Sequence, residues 1–546
     1  MPDTSLAPAL PGPFTPPGFT PPERDLPLLA AVRAFRTNAL ATWPRRAYEE
    51  MVIVRPFLGR RSVLVNEPAA IRALLVEGGE RFGRSAATIR LLEPMVGHGL
   101  FLSEGAAWRH QRRTLAPAFT PRAIGLLVPG MRQAIEESLG RLAQAVRSGR
   151  PLDLLSFCQT LALEVAGRAM FSLGMRRYAG PLRALIYRYG RSGAPRFLDL
   201  LLPADVITPH DVVRRSYGRR WMALVERMLA ARRREGARAP SDLLRMIEAA
   251  RDPETGEGFG PEEIRDQMAT MVLAGHETTA LTIFWSLTLL AQSPAWQARL
   301  AAEAAAGTED AAALPLARAV VEEALRLYPP AFAIVRVAKG PERLAGVALR
   351  ARDAAMVAPW VLHRHRRLWE APDAFDPRRF LPPAPPPERF AYLPFGAGPR
   401  GLHRRPIRIG GSDARPGDGG GALSPGTGDR PAGAAGGRRH HRAGPCAALS
   451  GGAAIVSPRS VPRRRGIGSR LGRDARKRAG QAQSSRRARR IGGVSAVFAA
   501  SWRQEAAQGR FDHGAKGRDC SMTVPERCDA WAAQSQQSFD HRGGHA

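Results

Sequence analysis

Apolar residues recur every three to four positions through much of the chain from Glu67 to Leu327, the period of an amphipathic helix. The pattern predicts helices over Pro68 to Glu77, Trp108 to Leu115, Arg122 to Ser148 and Pro151 to Leu173. A further helix is expected over Ala239 to Ala250, with Ser241 as its cap. The longest signal starts after Gly260-Pro261 and runs through Met268, Leu273, Leu281 and Leu290 to Gln292. That is roughly 30 residues, or about 45 Å of helix. It is apolar nearly all round, so it should cross the interior of a large domain. Ser293-Pro294 opens another helix, and Leu316 to Leu327 forms one ended by Pro329-Pro330. Alternating β-branched residues predict a strand pair at Met51–Pro56 and Ser62–Val65 around the turn-like Gly59-Arg60, and short strands at Ile334–Val337 and Ala355–Val361. A Pro-rich loop spans Leu381 to Pro387. The fold class is mainly α with small β-sheets, without internal repeats.

Composition divides this picture in two. The chain has 546 residues, 44% of them hydrophobic, which excludes disorder of the whole and allows a large core. Its net charge of +32 suggests a nucleic-acid or membrane-surface partner. The charge is unevenly spread. Residues 401–546 carry 27 Lys and Arg against 10 Asp and Glu, and hold 26 of the 55 glycines. Residues 1–24 read as a Pro-rich lead, 25–400 as one domain, and 401–546 as a basic Gly/Arg/Pro-rich tail with almost no apolar period. Four scattered cysteines make no disulfide framework, no apolar run is long enough to span a membrane, and the N-terminus lacks a signal-peptide pattern. A cytoplasmic location is expected.

Four constellations carry chemistry. Ala274-Gly275-His276-Glu277-Thr278-Thr279 lies in the middle of the long helix. Gly275 there costs about 1 kcal/mol relative to Ala. Either it relieves packing while the threonines bond back one turn, or it widens a groove where a small ligand meets a hydroxyl and a carboxylate. Glu323 and Arg326 share a helix face, as an exposed ion pair or, given Val320 and Leu325, a partly buried one. Phe375-Asp376-Pro377-Arg378-Arg379-Phe380 places arginines in an aromatic-flanked turn. Phe395-Gly396-Ala397-Gly398-Pro399-Arg400 is a glycine-rich loop.

In this order the four resemble the haem-thiolate monooxygenases, the cytochrome P-450 family. The resemblance covers roughly residues 25–400. It implies that fold, truncated in its C-terminal part, with haem b as cofactor. It implies an oxygen groove at Ala274 and Gly275, with Thr278 and Glu277 delivering protons. Trp108, Arg112, Arg336, Phe395 and Arg400 would hold the haem, with arginines on its propionates. Glu323, Arg326 and Arg379 would form a structural network, and His363-Arg364 before Trp369 also fits. The family's reaction inserts one oxygen atom of O2 into a lipophilic molecule. No flavin or iron–sulfur motif is present, so electrons would come from a separate ferredoxin- or flavodoxin-type donor. Arg109, Arg112 and Arg113, and Arg364, Arg366 and Arg367, form either solvated faces or a basic docking face for that donor.

The family's loop continues Phe-Gly-x-Gly-x-Arg-x-Cys-x-Gly, the cysteine supplying the thiolate that favours O–O cleavage. Here the cysteine position is Leu402 and the following glycine position is Arg404. Gly401 to Gly410 can be encoded GGT CTG CAT CGG CGC CCA ATT CGC ATT GG. Read one base later, those letters give Val-Cys-Ile-Gly-Ala-Gln-Phe-Ala-Leu. The expectation is a one-base insertion near the Arg400 codon, with the tail out of frame. His403 and Cys446 are rival iron ligands; Cys158, among Leu155, Phe157 and Leu161, reads as a core thiol. The functional alternatives are a catalytically dead relative without its thiolate and, ranked last because its arginines lack interleaved aromatics, nucleic-acid binding by the tail.

Overall fold

The computed structural model describes residues 10–401 apart from 58, 150–151, 194–198, 200–201, 237–240 and 306–313. These all fall in the first of the chain's two units, Met1–Gln504. Leu402, His403, the tail histidines and Cys446, Cys520 and Cys528 lie outside the described residues.

The N-terminal part builds a sheet. Strands β1 (Val52–Phe57) and β2 (Arg60–Val65) form an antiparallel hairpin through Gly59, whose φ of 75° is left-handed. After α1 (Leu28–Thr37), α2 (Pro68–Arg72) and β3 (Phe82–Gly83), the chain turns mainly helical. Helices α3 (Ala86–Val96), α4 (Gly105–Leu115), α5 (Pro121–Arg147), α6 (Leu154–Phe171), α7 (Arg176–Gly193), α8 (Pro209–Arg234) and α9 (Leu243–Ala249) follow. The long α10 (Pro261–Ala291) is next, then α11 (Pro294–Ala305) and α12 (Pro315–Leu327). Strands β4 (Ile334–Ala338), β5 (Glu342–Leu344), β6 (Val347–Leu349) and β7 (Ala354–Val357) precede the short α13 (Pro359–Leu362). The sheet order is β1-β2-β7-β4-β3; β2 and β7 are parallel, and the other neighbours antiparallel. The Pro-rich lead joins the body from residue 10 on: Phe14 exchanges backbone hydrogen bonds with Phe375, and their rings lie 5.3 Å apart.

Local chemistry sets the helix starts. Pro261 opens α10, and the Gly260 N–H donates to the Glu263 carboxylate at 3.0 Å. Ser85, Thr120 and Asp153 cap α3, α5 and α6 by accepting from Thr88, Ala123 and Ser156 amides. Met268, Ala269 and Val272 of α10 join Trp221, Met228, Phe171 and Leu163 in one core cluster. A second surrounds Trp296, Leu327 and Phe375, and a third backs the sheet with Val63, Ile71 and Val357. Against this third cluster Leu393 anchors the start of the glycine-rich loop. Helix α8 crosses α3 at Gly218, where an added Cβ would collide with the Pro94 carbonyl.

Four expectations need correction. The cap of α9 is Asp242, which accepts from the Arg245 amide at 3.0 Å, one residue after Ser241. The last strand stops at Val357, because Pro359 donates no ladder hydrogen bond and starts a helix instead. The helix from Pro68 leaves α geometry at Ala73 and continues as a wider turn to Glu77. The long helix is not enclosed all round, since Thr278 and Thr279 are exposed.

Candidate functional site

Helix α10 presents the first group. Thr278 Oγ1 donates to the Ala274 carbonyl at 2.6 Å, and Thr282 and Ser286 repeat the pattern on Thr278 and Thr282. Of the motif's two threonines, Thr278 therefore bonds back one turn. Packing does not explain Gly275: a Cβ there would meet only Met170 Cε, at an ordinary 3.4 Å. Glu277 is mostly buried, its side chain 17% exposed. Burial raises its carboxyl above the usual range, opposed by a hydrogen bond with Gln159 and by the Arg183 guanidinium. His276, buried beside it, donates from Nε2 to the Gln159 carbonyl at 3.1 Å; burial lowers its pKa to about 4, so it is neutral. The helix thus carries, at adjacent positions, an exposed threonine and a mostly buried carboxyl, bonded to Gln159, that keeps its proton to higher pH than a free one. Gln159 and Arg183 carry no sequence signal for this role.

The second group is cationic. Arg400 lies over the Trp108 ring at 5.0 Å and donates to the Ser103 carbonyl at 2.8 Å. Arg112, one turn beyond Trp108 on α4, donates to the Gly401 carbonyl at 3.3 Å. Arg336 projects from β4. Arg84, which belongs to no motif, lies over Phe101 at 4.8 Å. Burial, then the charges of Arg336 and Arg400, lower Arg84 to about 9; burial also lowers Arg112, Arg336 and Arg400. None of the four forms an ion pair among the described residues. The one carboxylate felt by Arg84, Arg336 and Arg400, Glu104, is paired with Lys339 at 3.3 Å. Cations gathered and desolvated in this way are costly unless an anion joins them.

The loop from Phe395 is held by close approach. Gly396 and Gly398 have φ of 74° and 75°, and a Cβ on Gly398 would collide with the Leu75 carbonyl. Phe395 stays half exposed.

The third group is a buried network. Glu323 and Arg326 are fully buried and doubly hydrogen-bonded at 2.6 and 2.8 Å. Arg326 also donates to the carbonyls of His363, Pro372 and Ala374. Glu323 accepts from the Asp376 amide at 2.8 Å, and Arg379 stands 3.6 Å away. Of the two readings of this pair, the structure selects burial. Leu393 N–H donates to His363 Nε2 at 2.8 Å, so the ring proton sits on Nδ1 and faces the Arg326 carbonyl. Burial first, then the Arg326 charge, lowers His363 to about 3. An unfolded chain takes up that proton near its ordinary pKa of about 6.5; the folded chain does not. The stability is complete above about pH 6.5 and is lost as pH falls toward the folded value, at about 1.4 kcal/mol per unit. His363→Asn should therefore remove one proton's worth of slope from a plot of urea midpoint against pH on the acid side. An unchanged slope would contradict the assignment.

Four arginines of the two basic faces have partners within the fold. Arg113 grips the buried Asp252 carboxylate at 2.8 and 2.9 Å and Glu254 at 3.1 Å. Arg109 pairs with Glu80, and Arg366 lies 3.6 Å from Glu49. Arg364 is buried, its guanidinium 3.7 Å from the Trp360 ring centre. Arg113 and Arg364 are thus engaged inside the fold, whereas Arg109 and Arg366, in exposed pairs, and Arg367 stay at the surface.

The cationic group fits a ligand with two carboxylates, as haem has. An iron ligand is a different matter. Cys158, the one cysteine among the described residues, is buried in α6, and burial pushes its thiol up to about 11. No group of three His, Cys, Asp or Glu residues able to hold a metal occurs among the described residues. Leu402, at the expected ligand position, has no donor atom. The described residues fit the porphyrin carboxylates and offer the iron no ligand.

Comparisons with known proteins bear on the family and the fold. Residues 21–401 match the family model for cytochrome P-450. Cyclooctat-9-en-7-ol 5-monooxygenase of Streptomyces melanosporofaciens is 32% identical over 418 residues, covering 71% of this chain and 87% of that protein. Cyclooctatin synthase of the same organism is 32% identical over 376 residues, covering 66% and 79%. The crystal structure of the cytochrome P-450DA haem domain matches with a TM-score of 0.54 at 24% identity, over 64% of this chain and 79% of that one, which bears on the fold. The family is a monooxygenase family whose cofactor is haem, and no described helix is long and apolar enough to cross a membrane. The chain belongs to the cytochrome P-450 family.

Proposed function

We propose that this scaffold is that of a monooxygenase acting on a lipophilic substrate with electrons from a separate ferredoxin- or flavodoxin-type donor, and that the chain as written has lost its iron ligand. The observation that carries the first half is the pairing on α10 of exposed Thr278 with mostly buried Glu277. When bound, haem supplies the oxygen chemistry. The chain's own residues supply the surroundings. Arg84, Arg112, Arg336 and Arg400 would hold the two carboxylates. The Thr278 hydroxyl can hold a proton at the groove, and Glu277, its carboxyl raised by burial, can replenish it. One similar protein is named for cyclooctat-9-en-7-ol, an alkene alcohol, which favours an uncharged lipophile over a charged substrate. The same reading places the protein in the cytoplasm, alongside donors of that kind.

The second half rests on Leu402 and Arg404 standing where the motif has cysteine and glycine. A one-base insertion after Arg400 accounts for both and for the change of composition at residue 401. The coding sequence tests it: one base beyond the start of the Gly401 codon, the letters should spell Val-Cys-Ile-Gly. A shifted frame with no cysteine codon there overturns the proposal.

A further inference from the structure

We infer that this chain, as written, takes a tetrapyrrole dicarboxylate through its two carboxylates alone, so that a metal at the ligand's centre adds nothing to affinity. The inference rests on the loss of the iron ligand proposed above. Its own support is the geometry around Trp108. Arg400 lies on Trp108, Arg112 stands one turn beyond Trp108 on α4 and meets Gly401, and Arg84 and Arg336 lie within electrostatic reach of Arg400; none of the four forms an ion pair among the described residues. The nearby Glu104 belongs to Lys339. Arg84 Nε is buried with no hydrogen-bond partner.

Two of these guanidiniums are already oriented. Phe101 lies under Arg84 and Trp108 under Arg400, and the Ser103 carbonyl takes one Arg400 donor. A stacked guanidinium keeps its edge donors for a planar carboxylate, and a bidentate pair gives geometry as well as energy. The charge surplus calls for more than one anionic group. The half-exposed Phe395 offers apolar surface in the same loop that ends in Arg400. Together these select a flat apolar body with carboxylates on one side. Nothing in the donor set selects a metal: the described residues hold no cluster of ligating side chains, and Leu402 offers no donor.

The test titrates the full-length chain with haemin, metal-free protoporphyrin IX and the dimethyl ester of that porphyrin, following tryptophan quenching. Haemin and the metal-free acid should bind within about 3-fold of each other, and the ester at least about 10-fold more weakly, as expected for losing charge-assisted hydrogen bonds. Arg84→Gln and Arg400→Gln should weaken both acids alike, whereas Arg109→Gln, on the same helix as Arg112 but paired with Glu80, should weaken neither. Circular dichroism confirms that each variant is folded. An ester that binds as well as the acid overturns the inference. So does haemin binding more than about 30-fold tighter than the metal-free acid, since a coordinate bond is then formed. In that case the reduced carbon monoxide spectrum separates two failures. A thiolate-type Soret band means that the loss of the ligand is itself wrong; a band of another type means that the loss stands and a different residue binds iron.

Discussion

Deleting one base directly after the Arg400 codon should convert a protein without a thiolate-type haem signature into one carrying about one haem per chain with that signature. The effect is nearly all-or-none, because iron coordination depends on a donor atom that Leu402 lacks and a cysteine thiolate provides. The rest of the site needs no change. Arg400 already lies on Trp108, Arg112 already meets the backbone carbonyl of residue 401, a contact that does not depend on the side chain there, and Gly398 is already packed against Leu75. Leu402→Cys in the unshifted frame is the informative control. It supplies the thiol but leaves Arg404 where the motif has glycine, so it should recover less haem than the frame-restored chain. Equal recovery would place the defect in one residue and count against a shift of frame. No recovery from the frame-restored chain would mean that the body up to Arg400 is unable to hold haem.

The second large effect is on stability. Glu323→Gln leaves the Arg326 guanidinium buried without its counter-charge, while its donors to three carbonyls hold it in place. Removing one partner of a buried pair costs about 3–5 kcal/mol, a large part of the roughly 5–15 kcal/mol that holds a folded domain. The urea midpoint should fall steeply. Arg326→Met should fall at least as far, because it also strips the carbonyls of His363, Pro372 and Ala374 of their donor. A loss below about 1 kcal/mol in Glu323→Gln, the range of exposed pairs, would contradict the fully buried geometry.

What the sequence disclosed follows physical lines. Helix α10 was legible because its apolar run is long and bounded by Gly260-Pro261. Helix α8 was not, because Arg214 and Arg232 interrupt its apolar period. Both are buried, Arg214 on Asp199 and Asp211 and Arg232 on Asp242, so they behave as core residues with distant partners. The Arg90–Asp211 pair, which ties α3 to α8, is hidden in the same way. At the candidate site, the residues singled out were those inside short motifs: Thr278, Glu277, Glu323, Arg326, Trp108 and Arg112. Arg84, Gln159 and Arg183 were missed, since only the folded chain brings them to Arg336, Arg400 and Glu277. Arg113 was misjudged for the opposite reason. Its partner Asp252 lies 139 residues away, and pairing turns an apparent surface charge into a clamp between α4 and the segment before α10.

The most direct measurement of the central claim is the reduced carbon monoxide difference spectrum of the purified full-length chain after incubation with haemin. A cytochrome P-450 scaffold whose iron ligand was lost at Leu402 gives no thiolate-type Soret band, whatever amount of haem it carries. A full thiolate-type band from the unaltered chain would contradict that claim.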